Sequence, residues 1–154
     1  DDLSRGLGDV YKRQEEIGWT GAGMSFVLGG VIGTLLAIFP HVWIPVFTDD
    51  PMVYETAKGF IQIVGPCLAI HGVGWALYFA SQGAGAMRGP VAALIARPIV
   101  AIGTAFLLLG PMDMGMTGVF IGAVGGMFAY TVIVTASMKG GAWRRQIPAS
   151  PAQT

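Results

Sequence analysis

Four residues with chemically versatile side chains lie at helical spacing in one apolar stretch of the sequence. They are His71, Trp75, Tyr78 and Gln82, which follow one another at intervals of four, three and four positions. A helix turns by about 100° per residue, so these side chains share one helical face. Polar residues inside a membrane usually face a bundle interior or a water-filled cavity. We therefore predict that this polar stripe lines a substrate cavity.

The chemistry open to the polar stripe is ligand binding and proton transfer. The rings of Trp75 and Tyr78 can stack on flat aromatic or cationic compounds. The imidazole of His71 can titrate near physiological pH and so carry protons. A second interpretation is structural, because polar side chains also hydrogen-bond neighbouring membrane helices. The sequence leaves both interpretations open.

A glycine and a proline precede the polar stripe on the same predicted helix. Pro66 has no amide hydrogen to donate to the Gln62 carbonyl, which predicts a kink beside Gly65. Such a kink can serve helix packing alone.

The elements that position these residues follow from the distribution of charge. Of the 154 residues, 53% are hydrophobic and 12% are charged, whereas soluble domains have roughly 25% charged residues. A bilayer requires about 20 mostly apolar residues per helix. The stretches that are free or nearly free of charge predict four transmembrane helices, at about 19–46, 53–86, 91–110 and 116–138. The predicted fold class is an all-α, polytopic membrane protein.

Several function classes are excluded by composition and by missing motifs. Nine basic residues balance nine acidic ones, so the basic surface of a nucleic-acid-binding protein is absent. The single cysteine, Cys67, excludes a disulfide framework and a cysteine-based zinc site. The sequence has no P-loop, no H-E-x-x-H and no G-x-S-x-G. We expect no enzymatic activity, no bound cofactor and no metal site.

Two G-x-x-x-G motifs predict close helix packing. One runs from Gly29 to Gly33, and the other from Gly118 to Gly122. Small residues at this spacing let two membrane helices approach closely.

The loops predict the orientation in the membrane. One set of helix ends is basic and carries Arg88, Lys139, Arg144 and Arg145. The other set is acidic and carries Asp49, Asp50 and Asp113. The positive-inside rule places the basic ends, and a disordered tail at 146–154, in the cytoplasm. At the acidic side, the run from Thr48 to Pro51 predicts an N-cap at the start of the second helix.

The first residues resemble material foreign to the protein. Asp9-Val10-Tyr11-Lys12-Arg13-Gln14 is similar to one reading frame of a transposase adapter used in sequencing libraries. We therefore expect residues 1–14 to be non-native, residues 15–145 to form the transmembrane bundle, and the natural chain to continue upstream.

Several stretches resemble the C-terminal end of multidrug and toxic compound extrusion (MATE) transporters. Residues 72–85, followed by Pro90 and Arg97, are similar to the G-x-G-x-x-x-Y-F-A-S-Q-G-A-G…P…R pattern of the tenth helix and the start of the eleventh in bacterial members. Residues 46–51 are similar to the F-T-x-D-P turn between the ninth and tenth helices, and residues 140–144 to the G-A-W-R end of the last helix. The resemblance implies that the chain holds the last four of twelve helices, in the C-terminal lobe. It also makes Gly65 and Pro66 candidate gating residues, with a kink that serves only packing as the equal alternative.

The resemblance also implies a function. It is that of a secondary antiporter in the bacterial inner membrane, which exports cationic or amphipathic drugs and other xenobiotics in exchange for H⁺ or Na⁺ by alternating access. Its partners are then these compounds, the lipid bilayer and the helices upstream of this chain. No acid lies between Gly59 and Met87, so we assign no cation site here and expect the coupling acids upstream.

Two other functions remain open. A flippase of the same superfamily, moving a lipid-linked saccharide, predicts a more cationic cavity than the polar stripe provides. A small four-helix membrane interaction protein requires residues 1–16 to be genuine. The sequence leaves two interpretations of Arg97: it either extends to the cytoplasmic interface or pairs with an acid of the upstream half.

Overall fold

A computed structural model describes residues 1–140, and all regular elements in this part of the chain are helices. They are α1 (Asp2–Ile38), α2 (Pro40–Trp43), a short 3-10 helix (Ile44–Val46), α3 (Pro51–Gly83), α4 (Arg88–Leu109) and α5 (Gly115–Lys139). Helices α1, α3, α4 and α5 are each long and apolar enough to cross a membrane. The predicted all-α fold with four membrane-spanning helices is confirmed. The predicted tail at 146–154 and most of the 140–144 motif, including Arg144, lie outside the described residues.

The long helices pack in the spatial order α1, α3, α5, α4. Helix α3 contacts α1 on one side and α5 on the other, and α4 packs against α5. Helices α1 and α3 are antiparallel, because Gly33 meets Gly65 and Ser25 meets Gly72. Helices α3 and α5 run parallel, with Phe60 against Phe120 near their N-terminal ends. The central position of α3 and α5 places the polar stripe in the middle of the row.

Glycines form the contact between α1 and α3. A Cβ added to Gly29 would lie 2.8 Å from the Leu68 carbonyl oxygen, and one added to Gly65 would lie 2.5 Å from the Gly33 carbonyl oxygen. A side chain on either glycine would therefore collide with the backbone of the other helix. The close packing predicted for the first G-x-x-x-G motif is confirmed.

The second glycine motif packs α5 on α4. A Cβ on Gly122 would lie 2.6 Å from the Ala101 carbonyl oxygen, and one on Gly126 would lie 2.7 Å from the Arg97 carbonyl oxygen. Close packing at this motif is also confirmed, and it extends one turn beyond Gly122. The contact brings the backbone of Arg97 directly against α5.

Helix α1 differs from its predicted span of 19–46 at both ends. It ends at Ile38, and the chain restarts at Pro40 as the short helix α2. Pro40 has no amide hydrogen, and its ring would clash with the carbonyl of Leu36 in a continuous helix. The prediction of one helix up to residue 46 was therefore wrong at Pro40. At the other end, residues 2–18 continue the helix N-terminally as mostly exposed turns.

Helix α3 has the predicted cap and an earlier end than predicted. Asp50 Oδ1 accepts hydrogen bonds from the Met52 and Val53 amides, at 2.8 and 3.4 Å, which confirms the predicted N-cap. The helix ends at Gly83 rather than 86, because Gly85 adopts a φ of 72°. The Ala86 amide then donates to the Ser81 carbonyl at 2.9 Å, which closes a Schellman motif. Helices α4 and α5 lie within three residues of their predicted ends.

Candidate functional site

The inner half of the polar stripe is a hydrogen-bonded pair of rings. Trp75 Nε1 donates to His71 Nε2 at 2.8 Å, and the two rings meet edge to face with centroids 6.0 Å apart. The His71 side chain is buried, at 7% exposure, whereas Trp75 is 38% exposed. Trp75 therefore connects a buried imidazole to the open side of α3.

The outer half of the stripe is a second pair, one helical turn apart. Gln82 Nε2 donates to the Tyr78 hydroxyl oxygen at 3.2 Å. The Tyr78 ring also lies 5.8 Å from the Trp75 ring, centroid to centroid. The structure thus brings all four predicted residues together on one face, which runs from buried His71 to exposed Gln82.

Helix α5 adds a residue that the sequence analysis missed. The Tyr130 side chain is fully buried, and its ring lies 5.6 Å from His71 and 6.1 Å from Trp75. This approach requires Gly74, since a Cβ there would lie 2.9 Å from the Tyr130 ring. Tyr130 follows Gly126 by four positions. It thus extends the four-residue spacing of Gly122 and Gly126 by one more turn, and this spacing could have identified it.

A hydrogen bond between helices fixes α5 at this level of α3. Thr131 Oγ1 donates to the Ile70 carbonyl oxygen at 3.1 Å. Such bonds hold membrane helices in register. Since Thr131 is adjacent to Tyr130 and Ile70 to His71, this bond also keeps the Tyr130 and His71 rings together.

Arg97 of α4 contributes positive charge to the same region. Its Cγ would lie 3.5 Å from a Cβ on Gly126, so the arginine stem packs along α5 one turn before Tyr130. The side chain leans along α5 toward Tyr130, because side chains lean toward the N-terminus of their own helix and α4 is antiparallel to α5. Arg97 is partly buried. Extension to the cytoplasmic interface and pairing with an upstream acid both stay predictions for Arg97.

An aromatic surface borders the polar stripe on its open side. The Phe79 ring lies 5.7 Å from Trp75 and 5.5 Å from Tyr78, and its side chain is 58% exposed. One phenylalanine in an apolar helix carries no distinguishing pattern, so the sequence alone does not identify Phe79 as part of the site. Together these three rings form a continuous aromatic surface on α3.

The structure places Gly65 and Pro66 away from the polar stripe. Gly65 is buried against α1, and Pro66 lines an open groove between α1 and α3 together with Phe26, Val27 and Thr34. Helix α3 continues through Pro66. Both residues lie where α3 contacts α1. A gating role for them stays a prediction.

Metal ligands do not cluster in the described part of the chain. Within residues 1–140, no three His, Cys, Asp or Glu side chains lie together as a metal site requires. The chemistry that this region offers is hydrogen bonding, aromatic stacking and the charge of Arg97.

Comparison with known proteins gives one match. A protein-family model described as MatE matches residues 9–107, which is more than half of the chain and includes the whole polar stripe and Arg97. No curated protein and no solved structure matches the chain. The match begins inside the segment 1–14, whose non-native origin stays a prediction.

Proposed function

The chain belongs to the MatE family, whose members are membrane transporters rather than enzymes, and from this premise we propose that it is part of a secondary active multidrug efflux antiporter. Its four long apolar helices make it an integral membrane protein. In the proposal, a twelve-helix transporter in the bacterial inner membrane exports cationic or amphipathic compounds in exchange for H⁺ or Na⁺. Alternating access then occurs by rocking of two lobes around a central cavity.

The observation that carries this proposal is the aromatic surface of Trp75, Tyr78 and Phe79 beside a polar cluster. Exposed rings on an apolar helix give a flat compound a large contact area, and their faces attract cations. The hydroxyl and amide of Tyr78 and Gln82 offer polar contacts at the edge of that area. Multidrug recognition needs this combination of broad apolar contact with few directional bonds.

Coupling requires acids that the described helices do not place at the stripe. No Asp or Glu lies between Gly59 and Met87 of α3 and its following turn. A cation bound on the aromatic surface would therefore need a carboxylate from other helices of the transporter. This agrees with the proposal that the coupling site lies upstream.

Ethidium export by the full-length transporter tests the proposal. The genomic reading frame that contains this sequence is expressed in cells lacking other drug pumps, with Trp75→Ala and Tyr78→Ala as the test variants. We expect each variant to weaken apparent ethidium affinity roughly tenfold, as loss of one cation–π contact implies. Phe106→Ala is the control, since Phe106 of α4 is 74% exposed and lies outside the stripe. If both test variants are present at normal levels in the membrane and export is unchanged, the proposal that these rings line the substrate cavity is refuted.

The upstream DNA tests the size of the transporter. A continuous frame encoding about eight further helices, before Glu15, supports the twelve-helix proposal. A start codon near Asp1 would contradict it and favour the small four-helix interaction protein instead.

Arg97 gives specific support to a second candidate, the flippase for a lipid-linked saccharide. A positive charge beside the stripe suits an anionic diphosphate linkage better than a cationic drug. Reconstituted vesicles distinguish the two candidates. Translocation of a lipid-linked saccharide that Arg97→Gln abolishes, without ethidium export, would select the flippase.

A further inference from the structure

Two polar atoms at the α3–α5 contact are buried without a hydrogen-bond partner among the described residues. They are His71 Nδ1 and the Tyr130 hydroxyl oxygen. The two side chains are 7% and 0% exposed. Polar groups enclosed in a membrane protein are costly unless they are bonded. Both atoms therefore identify a place where an additional group can bind.

Both atoms are hydrogen-bond donors. Because Nε2 of His71 accepts the bond from Trp75, the neutral imidazole carries its proton on Nδ1. The Tyr130 hydroxyl also has a proton to donate. The ring centroids are 5.6 Å apart, so the two donors belong to neighbouring rings.

The third group at this place is a fixed positive charge. Helices α4 and α5 are antiparallel, since Arg97 meets Gly126 and Ala101 meets Gly122. Side chains lean toward the N-terminus of their own helix, so Arg97 leans along α5 from Gly126 toward Tyr130. Within residues 1–140, Arg97 has no carboxylate at ion-pair distance.

We propose that His71, Tyr130 and Arg97 form a binding site for a carboxylate. The three groups supply N–H and O–H donors and one positive charge, which fit an acceptor-only anion with two oxygens. A metal cation is unsuited because of the Arg97 charge, and a water molecule would leave that charge unbalanced. The carboxylate comes either from a free ligand or from an acid elsewhere in the full-length chain. The site does not depend on drug export and goes beyond it.

Thermal unfolding of the purified full-length transporter in detergent tests the site, with sodium benzoate as the probe. Benzamide, which has the same ring without the charge, is the matched control. For a free ligand, we expect benzoate to raise the melting temperature and to bind at least roughly tenfold more tightly than benzamide. Tyr130→Phe and Arg97→Gln should each weaken benzoate binding roughly tenfold. Tyr54→Phe removes a hydroxyl from the first turn of α3, far from the three groups, and should leave binding unchanged.

A carboxylate of the chain itself gives a different result. Benzoate then has no effect on the parent protein, while Arg97→Gln lowers its melting temperature and Arg97→Lys, which retains the charge, lowers it much less. The proposal is overturned if benzamide binds as well as benzoate. It is also overturned if benzoate has no effect and the melting temperature of Arg97→Gln equals that of the parent protein. The same holds if benzoate has no effect and Arg97→Gln lowers the melting temperature no more than Arg97→Lys does. Failure of ethidium export with intact benzoate binding would reject the drug-export function alone.

Discussion

Trp75 and His71 lie one turn apart on α3 and are joined by a hydrogen bond of 2.8 Å from the indole Nε1 to the imidazole Nε2. The bond connects an open surface with a buried ring, because Trp75 is 38% exposed and His71 only 7%. A compound that stacks on Trp75 and shifts the indole would break the bond that orients His71. Such a compound would thereby act on the buried groups at the contact between α3 and α5.

Removing the indole donor should release the His71 ring. Trp75→Phe keeps an aromatic ring but cannot donate to Nε2, so both neutral tautomers of His71 become populated. Nitrogen-15 NMR of histidine-labelled transporter should change from one tautomer to a mixture, with a loss of about 1 kcal/mol in stability. Phe79→Leu removes a neighbouring ring without touching the bond and serves as the control. An unchanged His71 spectrum in Trp75→Phe would show that the bond does not set the tautomer.

The α1–α3 contact should tolerate no side chain at Gly33. A Cβ there would collide with the Gly65 carbonyl oxygen, and the rigid backbone of α3 cannot yield easily. Gly33→Ala should destabilise the protein by about 1–3 kcal/mol, as overpacking does. Gly23→Ala on the same helix is the control, since nothing lies within 4 Å of its added Cβ. Equal melting temperatures for the two variants, in detergent, would argue against this packing.

The start of α3 should depend on one of two adjacent acids. Asp50 caps the amides of Met52 and Val53, and loss of such a cap typically costs about 1 kcal/mol. Asp50→Ala should therefore speed hydrogen exchange at these two amides. The neighbouring Asp49 does not form this cap, so Asp49→Ala should leave the exchange unchanged. Faster exchange in both variants would indicate a general charge effect at the helix dipole instead.

The membrane helices could be predicted because the bilayer leaves few choices. Backbone groups in lipid must bond within the segment, so an apolar run without charges is a helix. Local chemistry at Asp50 also predicted the start of α3. The break at Pro40 follows from the same local chemistry and was overlooked because the hydropathy of 19–46 is continuous.

The packing of neighbouring helices around the site could not be predicted from the sequence. Tyr130 and Arg97 reach the polar stripe because α5 packs parallel to α3 and carries α4 on its far side. Spacing within one helix predicts which residues share a face. This spacing was enough to predict the shared face of His71, Trp75, Tyr78 and Gln82. The choice of neighbouring helix depends on the glycine contacts of Gly74 and Gly126, whose partners no single-helix pattern identifies.

Opposite ends of the bundle should be accessible from opposite sides of the membrane. Gly89 meets Ser137, so Arg88 and Lys139 lie at one end, and the positive-inside rule places that end in the cytoplasm. The test uses Asp49→Cys and Lys139→Cys in a Cys67→Ser background without other reactive cysteines. In intact cells, a membrane-impermeant maleimide should label Asp49→Cys nearly completely and Lys139→Cys only after permeabilisation. Labelling of Lys139→Cys alone would reverse the orientation, and labelling of both would contradict a membrane-spanning bundle.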